Sequence, residues 1–206
     1  MAQTNLSTRE RILGNGLALM SQAGLAGVTL GVLAEQVGMS KSGLFAHFKS
    51  KEDVQIALLD HTAEFATAQV VAPAMRAAEG LPRLQALVSN WFGWTRRAGL
   101  PGGCPVAAGL FEFDDVDGAV RNKLLEMESH WRGLLTGLVR QAVELGQLRR
   151  DLDVDQFVWE LSGIYLSHHA AYRFLRARDA NRRAQTAIDG LLARAAPVAK
   201  KTIRKK

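Results

Sequence analysis

Residues 29–53, TLGVLAEQVGMSKSGLFAHFKSKED, constrain the fold of this 206-residue chain more than any other segment. The apolar residues after Thr29 recur at i, i+3, i+4 and i+7, which predicts a short helix with one apolar face: Leu30, Leu33, Ala34 and Val37. Thr29 is placed to cap the start of this helix, and Gly38 can adopt the left-handed conformation that ends it. Because Ser40 can cap a second helix two residues later, the pattern predicts two helices that meet at a sharp angle.

The second helix, predicted over residues 41–48, has the kind of surface that a DNA major groove accepts. Leu44 and Phe48 lie one turn apart and are predicted to face the core. The outward positions are small, polar or cationic: Lys41, Ser42, Gly43 and His47. Such side chains near the start of a helix let its backbone enter the groove and reach base edges. The segment is therefore predicted to be a DNA-binding helix-turn-helix, although such units also serve as plain corners of a core.

These residues resemble the DNA-binding helix-turn-helix of the TetR family of transcriptional regulators. The resemblance rests on the capping threonine, on the turn Gly38-Met39-Ser40, and on the run LFAHFKSKE over residues 44–52. One position departs from the family pattern, because Phe45 stands where the family usually has tyrosine. Phosphate binding is then expected to depend on His47 and Lys51. The resemblance implies these DNA-binding residues: Thr29, Ser40, Lys41, Ser42, Gly43, Phe45, His47 and Lys51.

The composition fits a globular helical protein. The chain is 48% hydrophobic, which allows a sizeable core, and no apolar run is long enough to cross a membrane. The N-terminus lacks the apolar segment of a signal peptide, and the single cysteine cannot form an intramolecular disulfide. We therefore expect a cytoplasmic protein. Five of the six excess positive charges lie in residues 197–206, so the net charge alone does not indicate DNA binding.

The predicted fold class is all-α. An N-terminal three-helix helix-turn-helix domain is expected over residues 1–52 and a C-terminal, TetR-like helical bundle for effector binding and dimerisation over residues 53–196. A basic, disordered tail is predicted for residues 197–206. The sequence Ser7-Thr8-Arg9-Glu10 is a capping box that opens the first helix, and Ser50-Lys51-Glu52-Asp53 is a second capping box that opens the helix after the helix-turn-helix. Because that helix directly follows the recognition helix, we expect it to link the two domains mechanically.

Large aromatic side chains recur between residues 91 and 172. The resemblance implies a pocket for a small effector in this region, whereas aromatic residues at helical spacing also form an ordinary core. Few charged residues lie on the inward stripes, so a mainly apolar, ring-containing effector is expected. The predicted pocket residues are Trp91, Trp94, Phe111, Phe113, Trp131, Tyr165, His168 and Tyr172.

The histidines of this set are poor candidates for a metal site. His168 shares a helical face with Tyr165 and Tyr172, whereas the adjacent His169 points about 100° away. A metal ion needs ligands that converge from one side. Hydrogen bonding to an effector or across a dimer interface is the preferred interpretation, and the sequence predicts neither a metal nor a cofactor.

Cys104 follows two glycines at a predicted helix start, where a thiol can become reactive. One interpretation is an oxidation sensor. The other is a buried residue that acts as a small apolar side chain. No second cysteine is present in the chain to resolve a sulfenic acid, which favours the second interpretation.

The last predicted helix, about residues 181–195, carries a stripe of small and apolar residues that suits close approach of another helix. We expect the last two helices to pair with their copies in a homodimer. The predicted interface residues are Ala184, Ala187, Ile188, Leu191 and Ala195.

These features predict a transcriptional regulator and not an enzyme. The expected protein is a homodimeric repressor that binds near-palindromic double-stranded operator DNA and is released by a small-molecule effector. The alternatives are a redox-responsive regulator that senses through Cys104, a cysteine-dependent enzyme, and a non-specific architectural DNA-binding protein. The enzyme lacks a recognisable base, metal set or phosphate loop, and the architectural protein would carry a stronger basic excess in its folded part.

Overall fold

The computed structural model describes residues 7–197, and the chain is all-α over this range, as predicted. Residues 198–206, which make up nearly all of the predicted tail, lie outside the described part. None of the described helices is long and apolar enough to span a membrane. The helices are α1 (Thr8–Ala23), α2 (Leu30–Val37), α3 (Lys41–Phe45), α4 (Lys51–Ala66) with a π-helical continuation (Thr67–Val71), α5 (Ala72–Ala74), α6 (Leu81–Trp91), α7 (Trp94–Arg97), α8 (Pro105–Glu112), α9 (Ala119–Glu144), α10 (Val154–Arg173) and α11 (Ala180–Ala195).

Side-chain caps fix where α1 and α4 begin. The Ser7 hydroxyl accepts from the backbone N–H of Glu10 at 3.2 Å, and the Glu10 carboxylate accepts from the Ser7 N–H at 2.7 Å, which confirms the capping box. Hydrogen bonding of the Glu10 carboxylate to Ser7, first to its side chain and then to its backbone N–H, lowers the pKa of Glu10. At α4, Ser50 accepts from the Asp53 N–H at 3.0 Å. The Asp53 carboxylate accepts from the Lys49 N–H at 2.8 Å instead of the Ser50 N–H, so only the serine half of the second predicted capping box is formed.

The chain divides into two compact units by packing. The first contains the described residues up to Ala72 together with Gly93–His130, and the second contains Pro73–Phe92 together with the described residues from Trp131 onward. The predicted domains, 1–52 and 53–196, divide the chain by function, and that boundary stays a prediction.

The first unit packs the helix-turn-helix and the start of α9 around one core. Its fully buried side chains come from α1 to α4 and from the α1–α2 and α3–α4 loops, and include Ile12, Leu17, Met20, Leu25, Leu33, Leu44, Phe48 and Leu58. Val120 and Leu124 of α9 complete this core. The Lys123 ammonium also lies 2.8 Å from the Asp60 carboxylate of α4, and this bond to Asp60 raises the pKa of Lys123. The beginning of α9 is therefore held against α4 by apolar contacts and by an ion pair.

In the second unit, glutamine side chains accept hydrogen bonds from the first backbone N–H groups at the start of α6. The Gly80 N–H donates to Gln141 Oε1 at 3.1 Å, and the Leu81 N–H donates to Gln147 Oε1 at 2.5 Å. Helices α10 and α11 pack together, and the Arg149 N–H donates to the Ala195 carbonyl at 2.9 Å near the end of α11. The second unit therefore joins its helices by side-chain capping as well as by apolar packing.

Candidate DNA interface and candidate effector site

The helix-turn-helix has the caps that the sequence predicts. Thr29 Oγ1 accepts from the Val32 N–H at 3.2 Å at the start of α2. Gly38 adopts φ 67° and ψ 34°, the left-handed conformation that a residue with a Cβ seldom takes, and it ends α2. Ser40 Oγ then accepts from the Gly43 N–H at 3.1 Å and starts α3. The sharp turn between the two helices therefore depends on one glycine and one serine.

Helix α3 ends at Phe45, three residues earlier than predicted. The His47 N–H bonds to the Leu44 carbonyl at 3.0 Å, three residues back instead of four, so the last turn tightens before α4 begins. The predicted burial still holds, because Leu44 and Phe48 are both fully buried. The Arg9 guanidinium of α1 lies 5.4 Å from the centre of the Phe48 ring, a cation–π contact that the sequence analysis missed.

The outer face of α3 is open to solvent. Lys41, Ser42 and His47 are exposed, and Phe45 is 50% exposed, while Gly43 is half-buried. The Ser42 and Ser40 hydroxyl oxygens lie 3.0 Å apart within hydrogen-bond range. This face presents two hydroxyls, one cation, one imidazole and one ring, the set of groups that reads base edges and binds phosphates.

Lys51, which is predicted to bind a DNA phosphate, also has a hydrogen-bond partner within the chain. Its ammonium donates to the Ala26 carbonyl at 3.1 Å, in the loop between α1 and α2, and the side chain stays exposed. One turn later, the buried Gln55 amide donates to the Leu25 carbonyl at 2.9 Å. The start of α4 therefore holds this loop through two carbonyl groups. The eight DNA-binding assignments remain predictions.

Helix α8 and the loop before it also hold the end of α1, which the sequence analysis did not foresee. The Gly102 N–H donates to Ser21 Oγ at 3.0 Å, and the Gly103 N–H donates to the Ser21 carbonyl at 2.9 Å. At the other end of α8, the Glu112 carboxylate accepts from the Ala26 N–H at 2.8 Å. The double glycine was the available sequence signal, because two backbones can approach this closely only where no Cβ intervenes.

Five of the eight predicted pocket residues meet in the second unit. The Trp91 and Tyr165 rings stack with centres 4.0 Å apart, and Trp131 meets Trp91 edge-on at 4.8 Å. His168 stacks on Tyr172 at 5.7 Å. Phe92, which was not predicted, joins the group at 5.4 Å from Tyr165 and 5.2 Å from His168. We call these six residues the aromatic cluster: Trp91, Phe92, Trp131, Tyr165, His168 and Tyr172.

The other three predicted pocket residues belong to the first unit. Trp94 is buried with its ring 6.4 Å from Phe65, Phe113 packs on the first unit's core, and Phe111 is exposed. Trp91 and Trp94 do not lie on one continuous helix, because α6 ends at Trp91 and Gly93 adopts a left-handed φ of 71°. That glycine redirects the chain between the two tryptophans.

The histidines differ in their surroundings. His168 is buried and its Nε2 lies 2.8 Å from Asn181 Oδ1, so α10 and α11 are joined by this bond. Burial lowers the pKa of His169, and the nearby charges of Arg173 and His168 lower it further. Among residues 7–197, no three side chains of histidine, cysteine, aspartate or glutamate are grouped for a metal. Cys104 is buried at the N-cap of α8.

The predicted dimer stripe is mostly used inside the chain. Four of its five residues are buried in the single chain, so their side chains pack within their own unit: Ala184, Ile188, Leu191 and Ala195. Ala187 is exposed. The apolar periodicity of α11 was read correctly as a packing face, but that face is covered by the chain itself. On α10, Trp159 is 65% exposed on a face that continues through the exposed Gly163 and Ala170 to the exposed Phe174 at the C-cap.

Comparisons with known proteins bear on both parts of the chain. A family profile described as "Bacterial regulatory proteins, tetR family" matches residues 12–58, and one described as "Tetracyclin repressor-like, C-terminal domain" matches residues 80–188. A TetR family transcriptional regulator from Cytophaga hutchinsonii has a similar structure with a TM-score of 0.81 and 23% identity, over 94% of this chain and 98% of that one. A TetR regulator from Chloroflexus aurantiacus gives 0.79 and 24%, over 90% and 92%.

A third similar structure contains a ligand. It is the transcriptional regulator FadR from Bacillus subtilis in complex with stearoyl-CoA, with a TM-score of 0.72 and 16% identity, over 89% of this chain and 97% of that one. At these identities the three structures show a shared fold. No curated protein matches the chain.

Proposed function

The chain belongs to the TetR family and is a DNA-binding transcriptional regulator, and from this premise we propose that it is a homodimeric repressor released from its operator by a small-molecule effector. As a regulator of bacterial type, it would act in the cytoplasm, where the DNA is. What we propose beyond the family is that the protein represses transcription, that it is a homodimer, and that an effector releases it from DNA.

The observation that carries this proposal is the exposed face of α3. Helix α3 is capped by Ser40 and anchored by the buried Leu44, with Phe48 buried just after it. It presents Lys41 and Ser42 at its first turn, where a recognition helix contacts bases. His47 and Lys51 follow, and their exposed nitrogen atoms can approach the phosphate backbone. Positioning by phosphates and reading by base edges are thus available in one segment.

A dimer is needed because two recognition helices must enter successive major grooves about 34–36 Å apart. The exposed face of α10 supports such pairing. Trp159, Gly163, Ala170 and Phe174 lie within one stripe at spacings of four, seven and four residues. A Cβ added at Gly163 would meet nothing within 4 Å, so a neighbouring helix could approach closely. We therefore revise the proposed interface from the buried side of α11 to this face.

Helix α9 is the element through which we propose that effector binding reaches the DNA-binding part. It is continuous from Ala119 to Glu144 and carries Trp131 of the aromatic cluster. Earlier in the same helix, Lys123 pairs with Asp60 of α4, and Leu124 lies in the core around the helix-turn-helix. An effector changes operator affinity only if it binds one arrangement more tightly than the other. The sequence predicts α4 as the mechanical link between the two domains. In this scheme α9 reaches α4 through the ion pair between Lys123 and Asp60.

The test is a gel shift with DNA from around the protein's own gene at two salt concentrations. A repressor retains one fragment at the higher salt, because base contacts persist when phosphate contacts weaken. An architectural protein would lose all fragments alike, and a cysteine-dependent enzyme would bind none. Either of the last two results would overturn the proposed function.

A further inference from the structure

The aromatic cluster contains rings in two different arrangements. Trp91 and Tyr165 are nearly parallel, with 16° between their planes, whereas Trp131 meets Trp91 at 61°. Trp91 and Tyr165 are buried, and Trp131 is half-buried. A stacked pair flanked by an edge-on ring combines apolar ring faces with the polar edge of an indole.

Two buried polar atoms, one on a cluster residue and one on a residue a turn before Tyr165, have no hydrogen-bond partner in the part of the chain that the structure describes. They are the indole Nε1 of Trp131 and the Oγ of Ser162, and both atoms are buried. Ser162 is 6% exposed and lies one turn before Tyr165 on the buried face of α10. His168, one turn after Tyr165, has Asn181 as its partner. Most buried polar groups in proteins are paired, so two orphaned groups next to one cluster indicate a missing partner.

The chemistry of the Trp131 group restricts that partner. An indole N–H is a donor only, so its partner must supply a lone pair. An ammonium ion has none, although aromatic rings alone would attract a cation. The Ser162 hydroxyl can donate or accept, and it therefore adds a second polar point without changing this requirement.

We propose that the aromatic cluster binds a flat, uncharged ring compound that carries a carbonyl oxygen or ring nitrogen, and that this atom accepts a hydrogen bond from Trp131 Nε1–H. The ring of the ligand packs on the cluster, and Ser162 provides a second hydrogen bond. This ligand class deepens the proposed function, since it rests on that function for the consequence of binding, which is release of DNA.

The test measures binding to the free, full-length protein, without DNA, by ligand-observed NMR up to each compound's solubility limit. The probes are matched pairs that differ in the acceptor: 1-indanone with indane, quinoline with naphthalene, and 9-fluorenone with fluorene. Phenyltrimethylammonium is the cationic probe. We expect the acceptor-bearing member of each pair to bind the wild-type protein about 10-fold more tightly, the size of one buried hydrogen bond.

Trp131→Phe keeps a ring and removes the N–H. It should lower the affinity for 1-indanone about 10-fold and leave that for indane unchanged. Ser162→Ala should lower the 1-indanone affinity by a smaller factor, and Ser129→Ala, an exposed serine on α9, should leave it unchanged. Circular dichroism checks that each variant folds. If Trp131→Phe does not fold, the affinities of the wild-type protein and of Ser162→Ala for the paired compounds test the proposal.

The proposal is overturned if no compound binds, if the paired compounds bind equally, or if phenyltrimethylammonium binds most tightly. It is also overturned if Trp131→Phe weakens both members of a pair alike or changes the affinity of neither, because Nε1 then makes no bond to the acceptor. Adding the operator fragment lets ligand binding and release of DNA be measured separately. Binding that depends on Trp131 without release of DNA contradicts the effector role alone, and failure to retain any DNA fragment contradicts the repressor alone.

Discussion

At the scale of single residues, the helix-turn-helix uses side chains that satisfy backbone groups and still reach solvent. Ser40 caps α3 and contacts the Ser42 hydroxyl, and Lys51 bonds to the Ala26 carbonyl while its side chain remains exposed. A side chain held in this way loses less freedom when it meets DNA, because part of the ordering has already occurred on folding. Lys51 is thus both a support for the α1–α2 loop and a candidate phosphate ligand.

Lys51→Ala tests the second of these roles. The variant should bind all DNA sequences more weakly, and the slope of log affinity against log salt should fall by about 1 for each helix-turn-helix. Fluorescence anisotropy over a salt series measures this slope. Arg150→Ala, which removes an exposed cation elsewhere, is the control and should leave it unchanged. An unaltered slope in Lys51→Ala would mean that Lys51 serves only the loop.

His169 gives the folding stability a dependence on pH. Its pKa is lower in the folded protein than the ordinary value of 6.5, with burial as the main cause and Arg173 and His168 as further ones. The unfolded chain therefore binds more protons as the pH falls through about 6.5, and stability decreases from pH 7 to pH 5. Urea unfolding at pH 5, 6 and 7 should show a smaller decrease in His169→Gln. The exposed His130→Gln is the control, and an equal decrease in both variants would refute the assignment.

At the scale of elements, the sequence predicted where helices start and where the chain turns better than where helices end and in which direction the chain continues. Thr29, Ser40 and Gly38 act locally, through bonds to residues two to four positions away, so their pattern is readable along the chain. The early end of α3 and the separation of Trp94 from Trp91 depend on tertiary packing and on one left-handed glycine. The hydrogen bond between Ser21 and Gly102, in the loop before α8, joins residues that are 81 positions apart, which no local sequence pattern can predict.

Gly102→Ala tests the close approach between Ser21 and the loop before α8. A Cβ at residue 102 would lie 1.7 Å from the Ser21 carbonyl oxygen, a backbone atom that cannot move aside cheaply. The variant should lose at least about 2 kcal/mol of unfolding free energy, as overpacked sites do. Gly133→Ala is the matched control, because a Cβ there meets nothing within 4 Å, and it should gain about 0.5–1 kcal/mol as a helical alanine. Chemical denaturation measures both, and equal stability of the two variants would contradict the described approach.

At the scale of the whole molecule, the sequence indicated that the last two helices pack but not which face the chain covers itself. A small and apolar stripe on α11 fits an intramolecular partner and an intermolecular one equally well, since helix packing uses the same spacing in both. The structure buries Leu191 and leaves Trp159 in solvent. A large aromatic side chain with this exposure is a typical anchor of a protein interface.

Trp159→Glu tests the dimer. Because Trp159 is exposed in the single chain, the variant should fold normally, and a buried charge in the proposed interface should shift the protein to monomers. Sedimentation at micromolar concentration measures the oligomeric state, and operator affinity should fall with it. Leu125→Glu replaces another exposed apolar residue, on α9, and should remain dimeric. A wild-type protein that sediments as a monomer would contradict the dimer itself.

Paired α3 helices are proposed to read the operator. Methylation interference on the DNA fragment retained in the gel shift is the sharpest test of this pairing, because methyl groups on guanine N7 block major-groove contacts. Two symmetric clusters of interfering guanines are expected, with centres about 10–10.5 base pairs apart, one helical turn. A single cluster, or interference spread evenly along the fragment, would contradict it.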